Sequence, residues 1–347
     1  MTLISSWRSP SNIALIKYWG KHGTQLPNNP SLSFTLSACH TDMFIKVTPE
    51  SSAPSLTVLY AGNERPAFEP KIKSFLQKIY TRVPWLQNAA IIIDSVNTFP
   101  HGAGIASSAS AMSALALCIT SIDSQINSQP ENINNLSRKY TVSEMARLAS
   151  GSACRSVFPV AALWGEVKNI LDSSDLHAIP WADHISDVYK DYQDTILVVS
   201  AEEKGISSTA GHQLMNDHPY AAPRFAQANL NLSSLITAMN TNDNPESFIS
   251  ICESEALHLH ALMMSSKTPF ILMESNTVSI IKEVWRFRKE TSIPVCFTLD
   301  AGPNVHLLYP SSFRPSVLDW IKSRLTPYCI DGLFLLDENG SGPERLT

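Results

Sequence analysis

The chain has 347 residues, of which 44% are apolar and 16% charged, and its formal net charge is −5. This is the composition of an ordinary globular protein, and the length is sufficient for two hydrophobic cores. The acidic balance and the lack of a long run of one charge argue against non-specific binding to nucleic acid or a membrane surface, so we expect neither partner.

The first residues and the cysteines predict a cytoplasmic protein. Residues 1–21 lack the basic-then-apolar pattern of a signal peptide, and no apolar run approaches the ~20 residues of a membrane span. Six cysteines are scattered along the chain without a CxxC pair. In a chain of this length they predict reduced thiols, mostly in the core.

The first half of the chain predicts a mixture of strands and helices. Residues 42–49, "DMFIKVTP", alternate like a half-buried strand, and residues 89–97, "AAIIIDSVN", predict a short apolar strand. After a glycine-rich loop, apolar residues recur at helical spacing. They are Met112, Leu115, Ala116, Ile119 and Ile122.

The middle of the chain predicts a connection, a helix and a domain junction. Residues 124–140 are polar and predict a surface connection, and residues 141–149 predict a helix with Ser143 as a possible N-cap. Periodicity fades over residues 172–187, where we place the junction. The predicted domains are therefore residues 1–186 and 187–347.

The second half predicts one strand, three helices and a hairpin. Residues 195–200, "TILVVS", predict the strand. One helix carries Phe225, Leu232, Leu235 and Met239, a second lies near residues 246–264 and a third near residues 276–290. Strands at 294–300 and 305–310 are joined by "AGPN", a hairpin signal. The pattern predicts an α+β fold of two units packed side by side.

The loop "PHGAGIASSASA" before the alanine-rich helix is a candidate phosphate site. Gly102 and Gly104 permit positive φ and a close approach of ligand to backbone. Ser107 and Ser108 fall in the first helical turn, where free N–H groups and the helix dipole attract an anion. A strand-to-helix corner with a serine cap explains the pattern equally well. The endings of a Walker loop and of a dinucleotide-binding loop are both absent.

Three cations are candidate anion-binding groups. Lys17 and Lys21 lie four residues apart in "NIALIKYWGK", although most lysines near a core strand are solvated surface residues. Arg155 follows small residues in "SGSACRS", and its planar fork of donors fits a carboxylate or phosphate. A structural salt bridge is the alternative role for Arg155.

Polar residues also follow two predicted strands. Asp300 ends the apolar strand in "FTLDAGPN", where its carboxylate can point into a cleft, although an Asx-turn explains it as well. Ser207 and Ser208 in "GISSTAG" are hydroxyl donors or a helix cap. His258 and His260 face apart on a helix, so we interpret both as structural.

The order of these motifs is more specific than any one of them. "NIALIKYWGK", "PHGAGIASSASA", "SGSACRS", "SST" and "LDAGPN" occur in the order and approximate spacing of one family. The sequence strongly resembles the diphosphomevalonate decarboxylases of the GHMP kinase superfamily, from Asn12 to the terminal "GSGPE". The resemblance implies an N-terminal domain like ribosomal protein S5 domain 2, a ferredoxin-like C-terminal domain, and a substrate cleft between them.

The activity that the resemblance implies is ATP-dependent decarboxylation of mevalonate 5-diphosphate to isopentenyl diphosphate, in the mevalonate route of isoprenoid biosynthesis. Phosphorylation of the tertiary 3-hydroxyl makes a leaving group, its departure builds positive charge at C3, and loss of CO₂ gives the alkene. The implied cofactors are ATP and Mg²⁺. The expected assembly is a homodimer.

The resemblance also implies roles for the site residues. Asp300 is the base or orienting carboxylate, with Lys17 as its catalytic partner. The substrate contacts are Asn12, Tyr18, Lys21, Ser152, Arg155 and Ser208, with Asn12 bracing Arg155. The ATP phosphates are bound by Pro100, Gly102, Ala103, Gly104, Ile105, Ala106, Ser107 and Ser108. Ser107 or Ser108 is the candidate metal ligand where Mg²⁺ is not held by the ATP phosphates alone.

The sequence departs from the family pattern at three residues, and it leaves alternative functions open. Pro159 and Val160 stand where many family members carry two glycines, and Ala149 where we expect one. Relatives that decarboxylate mevalonate 5-phosphate, or that stop at the 3-phosphorylated product, are alternatives. The latter typically lack the aspartate–lysine pair present here as Asp300 and Lys17. A non-catalytic sensor on the same fold is an alternative of a different class, and it would have lost such residues.

Overall fold

Two β-sheets with helices packed against them organise the chain. The computed structural model describes residues 1–100, 105–129, 135–202, 208–241 and 245–347. The first half contains β1 (Leu3–Ala14), β2 (Lys21–His22), β3 (Leu26–Pro27), β4 (Ser31–Thr48), β5 (Ser55–Tyr60), β6 (Asn63–Glu64), α1 (Glu69–Ile79), β7 (Ala90–Asn97), α2 (Ser107–Ile126), α3 (Leu136–Ala149), β8 (Ala161–Trp164) and β9 (Ala178–Pro180). The second half contains α4 (Asp187–Lys190), β10 (Gln193–Leu197), α5 (Ser208–Gln213), α6 (Ala221–Thr241), α7 (Pro245–Met264), α8 (Ser275–Thr291), β11 (Cys296–Leu299), β12 (Val305–Tyr309), α9 (Arg314–Trp320), β13 (Phe334–Glu338) and β14 (Glu344–Arg345).

The first sheet has the strand order β14-β1-β4-β7-β5-β6, and β8 and β9 extend it from β4. The burial pattern of its long strand β4 shows which face of the sheet packs against the core. Met43, Ile45 and Val47 are buried, whereas Phe44 and Lys46 between them are exposed. This period of two confirms the strand predicted at residues 42–49 and turns one apolar face toward the helices.

Helix α2 is the core helix on that face. Met112, Leu115, Ile119 and Ile122 are buried, as their spacing predicts. Among the described helices, α2 alone has the length and composition of a membrane span, and 78% of the qualifying window is buried inside the protein. A helix that is covered on all sides in a domain core is apolar all round for the same reason.

Helix α3 corrects two predictions. It begins at Leu136, where the Asn135 side chain accepts a hydrogen bond from the Arg138 N–H (3.3 Å), so Asn135 is the N-cap and Ser143 is not. The predicted surface connection is correspondingly shorter, because α2 and α3 occupy much of residues 124–140. The Ser143 hydroxyl instead donates to the Cys154 carbonyl (2.8 Å) in the buried interior, where its oxygen satisfies main-chain groups.

The second sheet has four antiparallel strands in the order β11-β12-β10-β13. The predicted hairpin is confirmed, since Leu299 pairs with Val305 across the β11–β12 turn. The three predicted helices are confirmed as α6, α7 and α8. Asp300 follows β11 directly and therefore lies at the end of this sheet.

One hydrophobic cluster joins the two sheets. It combines Phe34 of β4 with Ile196 of β10, Leu308 of β12 and Phe248 of α7. All six cysteines are buried free thiols, as the scattered pattern predicts. The two sheets therefore share one hydrophobic cluster where they meet.

The end of the described chain returns to the first sheet. Strand β14 pairs with β1, with Arg8 opposite Glu344. The Gly340 N–H donates to the Thr35 carbonyl (2.8 Å). A Cβ on Gly340 would lie 2.2 Å from the Leu36 carbonyl oxygen, so only glycine permits this approach.

Val160 has a backbone conformation that glycine adopts freely and β-branched residues rarely adopt, with φ 60°. Its N–H donates to the Gly340 carbonyl (2.9 Å), and its carbonyl accepts from the Thr35 N–H (2.9 Å). The Ala161 N–H donates to the Pro159 carbonyl (2.7 Å) across the same turn. Pro159 and Val160 stand where many family members carry two glycines, and Val160 still adopts the backbone conformation of a glycine. The hydrogen bonds of the turn hold it there.

Candidate active site

Segments from both halves of the chain meet around Asp300. Burial lowers the pKa values of Lys17, Arg155 and His212, and the Asp300 carboxylate opposes the lowering in all three. These residues come from the segment after β1, from the 3₁₀ helix Gly151–Val157 and from α5. Because one carboxylate acts on each of them, the four residues lie together.

Arg155 is a buried cation with neutral hydrogen-bond partners, and it is 2% exposed. Its Nε and Nη2 donate to Asn12 Oδ1 (3.3 and 3.0 Å), and its Nη1 donates to Ser31 Oγ (2.5 Å). Asn12 Nδ2 in turn donates to Ser156 Oγ (2.8 Å). Arg155 forms no ion pair with any carboxylate in the described part of the chain. Its charge is therefore available to a bound anion.

Lys17 is also buried, at 1% exposure. Its Nζ donates to the Ala14 carbonyl (2.6 Å). Burial lowers the pKa of Lys17 to about 8, and the nearby Asp300 carboxylate opposes the lowering. At neutral pH the side chain is still mostly an ammonium group, and a perturbed pKa of this kind is typical of functional sites.

A buried ion pair holds the Lys17 backbone in place. Arg224 of α6 donates through Nη1 and Nη2 to both oxygens of Glu255 on α7 (2.7 and 2.6 Å). Glu255 also accepts from the Lys17 N–H (2.8 Å) and from Asn231 Nδ2 (2.7 Å). Burial raises the pKa of Glu255, but these hydrogen bonds and the Arg224 charge outweigh it and the net pKa is lowered. Sequence reasoning missed this pair, because charged residues on helices normally face water.

Asp300 sits in a turn whose main chain is fixed. The Gly302 N–H donates to the Asp300 carbonyl (2.8 Å), and His260 Nε2 donates to the same oxygen (3.1 Å). His260 therefore supports the turn, as a structural histidine does, whereas His258 is exposed. Within the described ranges no group of three or more His, Cys, Asp and Glu could hold a metal ion.

Tyr18 lies in an aromatic wall of the site. Its ring is 4.7 Å from that of Trp164 and 4.3 Å from that of His212. Burial raises the pKa of Tyr18, and its hydroxyl has no hydrogen-bond partner among the described residues. A Cβ on Gly151 would lie 2.7 Å from that hydroxyl, so glycine leaves it room.

Three lysines form a basic cluster, Lys21, Lys71 and Lys78. Lys21 Nζ donates to Gln25 Oε1 (2.9 Å), Lys71 Nζ to Ser108 Oγ (2.9 Å), and Lys78 Nζ to a main-chain carbonyl of α3 (3.2 Å). Desolvation lowers the pKa of Lys21, with a further lowering by Lys78, and desolvation and Lys21 do the same for Lys71. Such mutual repulsion favours binding of a multiply charged anion. Only Lys21 was identified from sequence, since α1 gave no signal.

The start of α2 supplies the described part of the predicted phosphate loop. Ser107 is the first helical residue, so Ser107 and Ser108 lie in the first turn, as predicted. Ala106 at the N-cap position is left-handed (φ 46°), and no side chain of the described residues caps the helix. The uncapped N–H groups suit a phosphate, and Lys71 adds a positive charge beside Ser108.

The structure describes some of the other predicted ligand contacts and not the rest. Pro100 is half-buried, and Ile105 is buried with its carbonyl accepting from the Ser11 hydroxyl (2.7 Å). The Ser152 carbonyl accepts from Asn12 Nδ2 (3.1 Å). Gly102, Ala103, Gly104, Ser207 and the side chain of Ser208 lie outside the described residues.

Two family models match the chain. A diphosphomevalonate decarboxylase-like N-terminal domain matches residues 9–176. A mevalonate 5-diphosphate decarboxylase C-terminal domain matches residues 195–335. The first match ends at residue 176, and the second begins at residue 195.

Individual proteins are similar over nearly the whole chain. A diphosphomevalonate decarboxylase of Gibberella zeae is 30% identical over 325 residues, which are 88% of this chain and 80% of the relative. A structure of the mevalonate diphosphate decarboxylase from Enterococcus faecalis has a TM-score of 0.81 at 26% identity and covers 100% of this chain and 99% of its own. A structure of MDDEF in complex with MVAPP, AMPPCP and magnesium has a TM-score of 0.82 at 26% identity, with the same coverage.

Proposed function

Because this chain belongs to the diphosphomevalonate decarboxylase family, we propose that it converts mevalonate 5-diphosphate and ATP into isopentenyl diphosphate, ADP, phosphate and CO₂. Its fold is the predicted α+β, two-domain GHMP-kinase fold. The observation that carries the proposal is the buried Arg155 guanidinium near Lys17 and Asp300, whose hydrogen-bond partners among the described residues are neutral. A reaction that binds a substrate carboxylate, releases it as CO₂ and expels a phosphate needs such a cation.

We assign Asp300 to the tertiary 3-hydroxyl of the substrate. Its carboxylate accepts or orients the hydroxyl proton while the oxygen receives a phosphoryl group. The C3–O bond then breaks with loss of phosphate, and the electrons of the C1–C2 bond form the alkene as C1 leaves as CO₂. Lys17 as ammonium keeps Asp300 ionised and stabilises the departing phosphate, and Arg155 holds the substrate carboxylate.

The basic cluster favours a diphosphate over a monophosphate substrate. Lys21, Lys71 and Lys78 place three ammonium groups near one another, and their hydrogen bonds go to neutral partners. A diphosphate offers more negative charge and more oxygen acceptors than a monophosphate. We therefore rank decarboxylation of mevalonate 5-phosphate second.

Nucleotide binding is assigned to the loop and first turn before α2. The residues are Pro100, Gly102, Ala103, Gly104, Ile105, Ala106, Ser107 and Ser108. The uncapped start of α2 fits a phosphate, and the Ser107 or Ser108 hydroxyl fits one position of a Mg²⁺ ion otherwise held by nucleotide phosphates. ATP supplies the phosphoryl group, and Mg²⁺ neutralises charge on the phosphate oxygens.

Purified protein with ATP and Mg²⁺ tests the activity when it is offered mevalonate, its 5-phosphate and its 5-diphosphate separately. We expect ADP, phosphate, CO₂ and the alkene in equal amounts with the 5-diphosphate, and much slower turnover with the others. ADP without CO₂ would identify a 3-kinase. Binding without any product would identify a sensor, and preference for the 5-phosphate would favour the second candidate.

The Asp300→Asn variant tests the assigned chemistry. Asn keeps the size and the turn, but it cannot take the hydroxyl proton or carry the charge that pairs with Lys17. We expect kcat to fall by about 10²–10⁴-fold, the usual general-base contribution, with ATP and substrate affinity near wild type. Steady-state ADP release and a melting curve measure this. A folded variant within about threefold of wild type would remove Asp300 from the mechanism.

We further propose that the protein is a cytoplasmic homodimer with a domain boundary at residues 186 and 187. The dimer and the location rest on the family resemblance, and the boundary rests on the loss of periodicity at residues 172–187. Light scattering of the purified protein tests the dimer, and limited proteolysis tests the boundary.

A further inference from the structure

His212 of α5 is enclosed by two aromatic rings at the site. Its ring lies 4.3 Å from that of Tyr18 and 4.7 Å from that of Trp19. The adjacent Gly211 permits this packing, because a Cβ there would lie 2.5 Å from the Trp19 ring. His212 is only 7% exposed, so its ring is held in one place.

One hydrogen bond decides which ring nitrogen of His212 carries the proton. The Gly20 N–H donates to His212 Nδ1 (3.0 Å), so Nδ1 is an acceptor without a proton. In a neutral imidazole the proton is then on Nε2. Burial and the nearby Lys21 lower the pKa of His212 to about 3, with Asp300 opposing, so the ring is neutral at physiological pH.

The Nε2–H of His212 donates to none of the described residues. Two charged groups act on the ring, and the effect of the Lys21 ammonium exceeds that of the Asp300 carboxylate. The ring packs on Tyr18 and Trp19 and accepts from the Gly20 N–H, so it lies beside the segment that carries Lys21 of the basic cluster. An N–H donor that no described residue satisfies can donate to a ligand or to water at the site.

We infer that His212 is a substrate-recognition residue whose Nε2–H donates a hydrogen bond to a phosphate oxygen of the 5-diphosphate. Lys21, Lys71 and Lys78 supply the charge there, and the fixed ring adds a directional donor. The inference rests on the proposed function, because it takes the diphosphate as the ligand.

Two substitutions separate the roles of the two ring nitrogens. His212→Asn places an amide oxygen where Nδ1 accepts from Gly20 and leaves nothing at Nε2. His212→Gln places an amide N–H near the Nε2 position and leaves the Gly20 N–H unpaired. Steady-state kinetics with ATP and mevalonate 5-diphosphate, beside melting curves, compare both with wild type. Calorimetric titration of mevalonate 5-diphosphate gives the affinity directly.

We expect His212→Asn to raise the KM for mevalonate 5-diphosphate by about tenfold, with kcat and the KM for ATP within about twofold. His212→Gln should keep that KM within about threefold while its melting temperature falls, because the buried Gly20 N–H loses its acceptor.

Several results would overturn the inference. An unchanged KM in folded His212→Asn, or an equal rise in KM in both variants, would make the ring a packing residue only. A loss confined to kcat would place it at the reacting carbon instead. These outcomes require a wild-type enzyme that consumes mevalonate 5-diphosphate. If wild type does not consume it, the proposed function fails and the assignment of His212 fails with it.

Discussion

Two buried guanidinium groups in this protein differ in the charge of their partners. Arg224 donates to both oxygens of Glu255 (2.7 and 2.6 Å). Among the described residues, Arg155 donates to Asn12 and Ser31. Both charges are removed from water, so each needs another source of stabilisation. Arg224 has its counter-charge in a direct ion pair, whereas Arg155 makes no ion pair among the described residues and the Asp300 carboxylate acts on it only from a longer distance.

The difference shows that burial does not by itself separate a structural cation from a functional one. The charge of the hydrogen-bond partner does. The ion pair of Arg224 and Glu255 is also part of the site, because Glu255 binds the Lys17 N–H (2.8 Å). The neutralised pair thus supports the Lys17 main chain, whereas Arg155 and Lys17 form no ion pair with a carboxylate among the described residues. In the proposed function these two cations bind the substrate.

Glu255→Gln should have the largest effect on stability. It removes the counter-charge of Arg224 and leaves a buried cation uncompensated, which lowers the free energy of unfolding by about 3–5 kcal/mol. Urea unfolding measures this. Glu283→Gln is the matched control, because its partner Arg286 is largely exposed and such pairs contribute about 1 kcal/mol or less. Equal losses in the two variants would contradict a structural role for the buried pair.

Arg155→Gln should give the second-largest effect, on activity rather than stability. It removes a charge-assisted hydrogen bond of about 1.5–3 kcal/mol to the substrate, so kcat/KM falls at least about tenfold. The melting temperature should stay near wild type, because no carboxylate is left without its partner. Unchanged kinetics with a large drop in melting temperature would show that Arg155 is a structural cation, as Arg224 is.

The smallest expected effect is the pH dependence of kcat/KM and of stability that the Lys17 ammonium group causes. Its pKa is lowered from 10.5 to about 8, so the free enzyme loses the ammonium charge as pH rises through about 8 and kcat/KM falls there. Stability changes in the opposite sense. Between about 8 and 10.5 the unfolded chain binds more protons at this group, so its contribution to the free energy of unfolding rises with pH.

Lys17→Arg checks that assignment. Arginine stays charged throughout, so the alkaline fall in kcat/KM near pH 8 should disappear from whatever activity the variant retains. Profiles of kcat/KM from pH 6 to 10 for both enzymes measure this. A fall near pH 8 that persists in the variant would assign the titration to another group.

The features that follow local rules could be predicted from the sequence. Alternation predicted β4, and "AGPN" predicted the hairpin that carries Asp300. The prediction of Ser143 as an N-cap was wrong because the helix begins earlier than predicted. Asn135 lies at its true start and is the N-cap. A side chain with capping chemistry does not show where a helix begins.

The remaining site residues could not be predicted from the sequence, because only tertiary packing brings them together. Glu255 and Arg224 have the sequence context of exposed helix residues, and only the meeting of α6 and α7 with the segment after β1 buries them. Lys71 reaches Ser108 from α1, far away in the sequence. His212 stood four residues after Ser208, so helical spacing was a signal that sequence reasoning did not use.

Strand β14 affects the order in which the protein can be completed during synthesis. The ribosome releases a chain from its N-terminal end, and domains generally fold as they emerge. The β1 edge that pairs Arg8 with Glu344 stays open until the chain has been released as far as Glu344. Pairing over such a separation is slow, because a long loop must close first. During that interval the nascent β1 edge is open to strands of neighbouring chains, and a chaperone would protect it most usefully there.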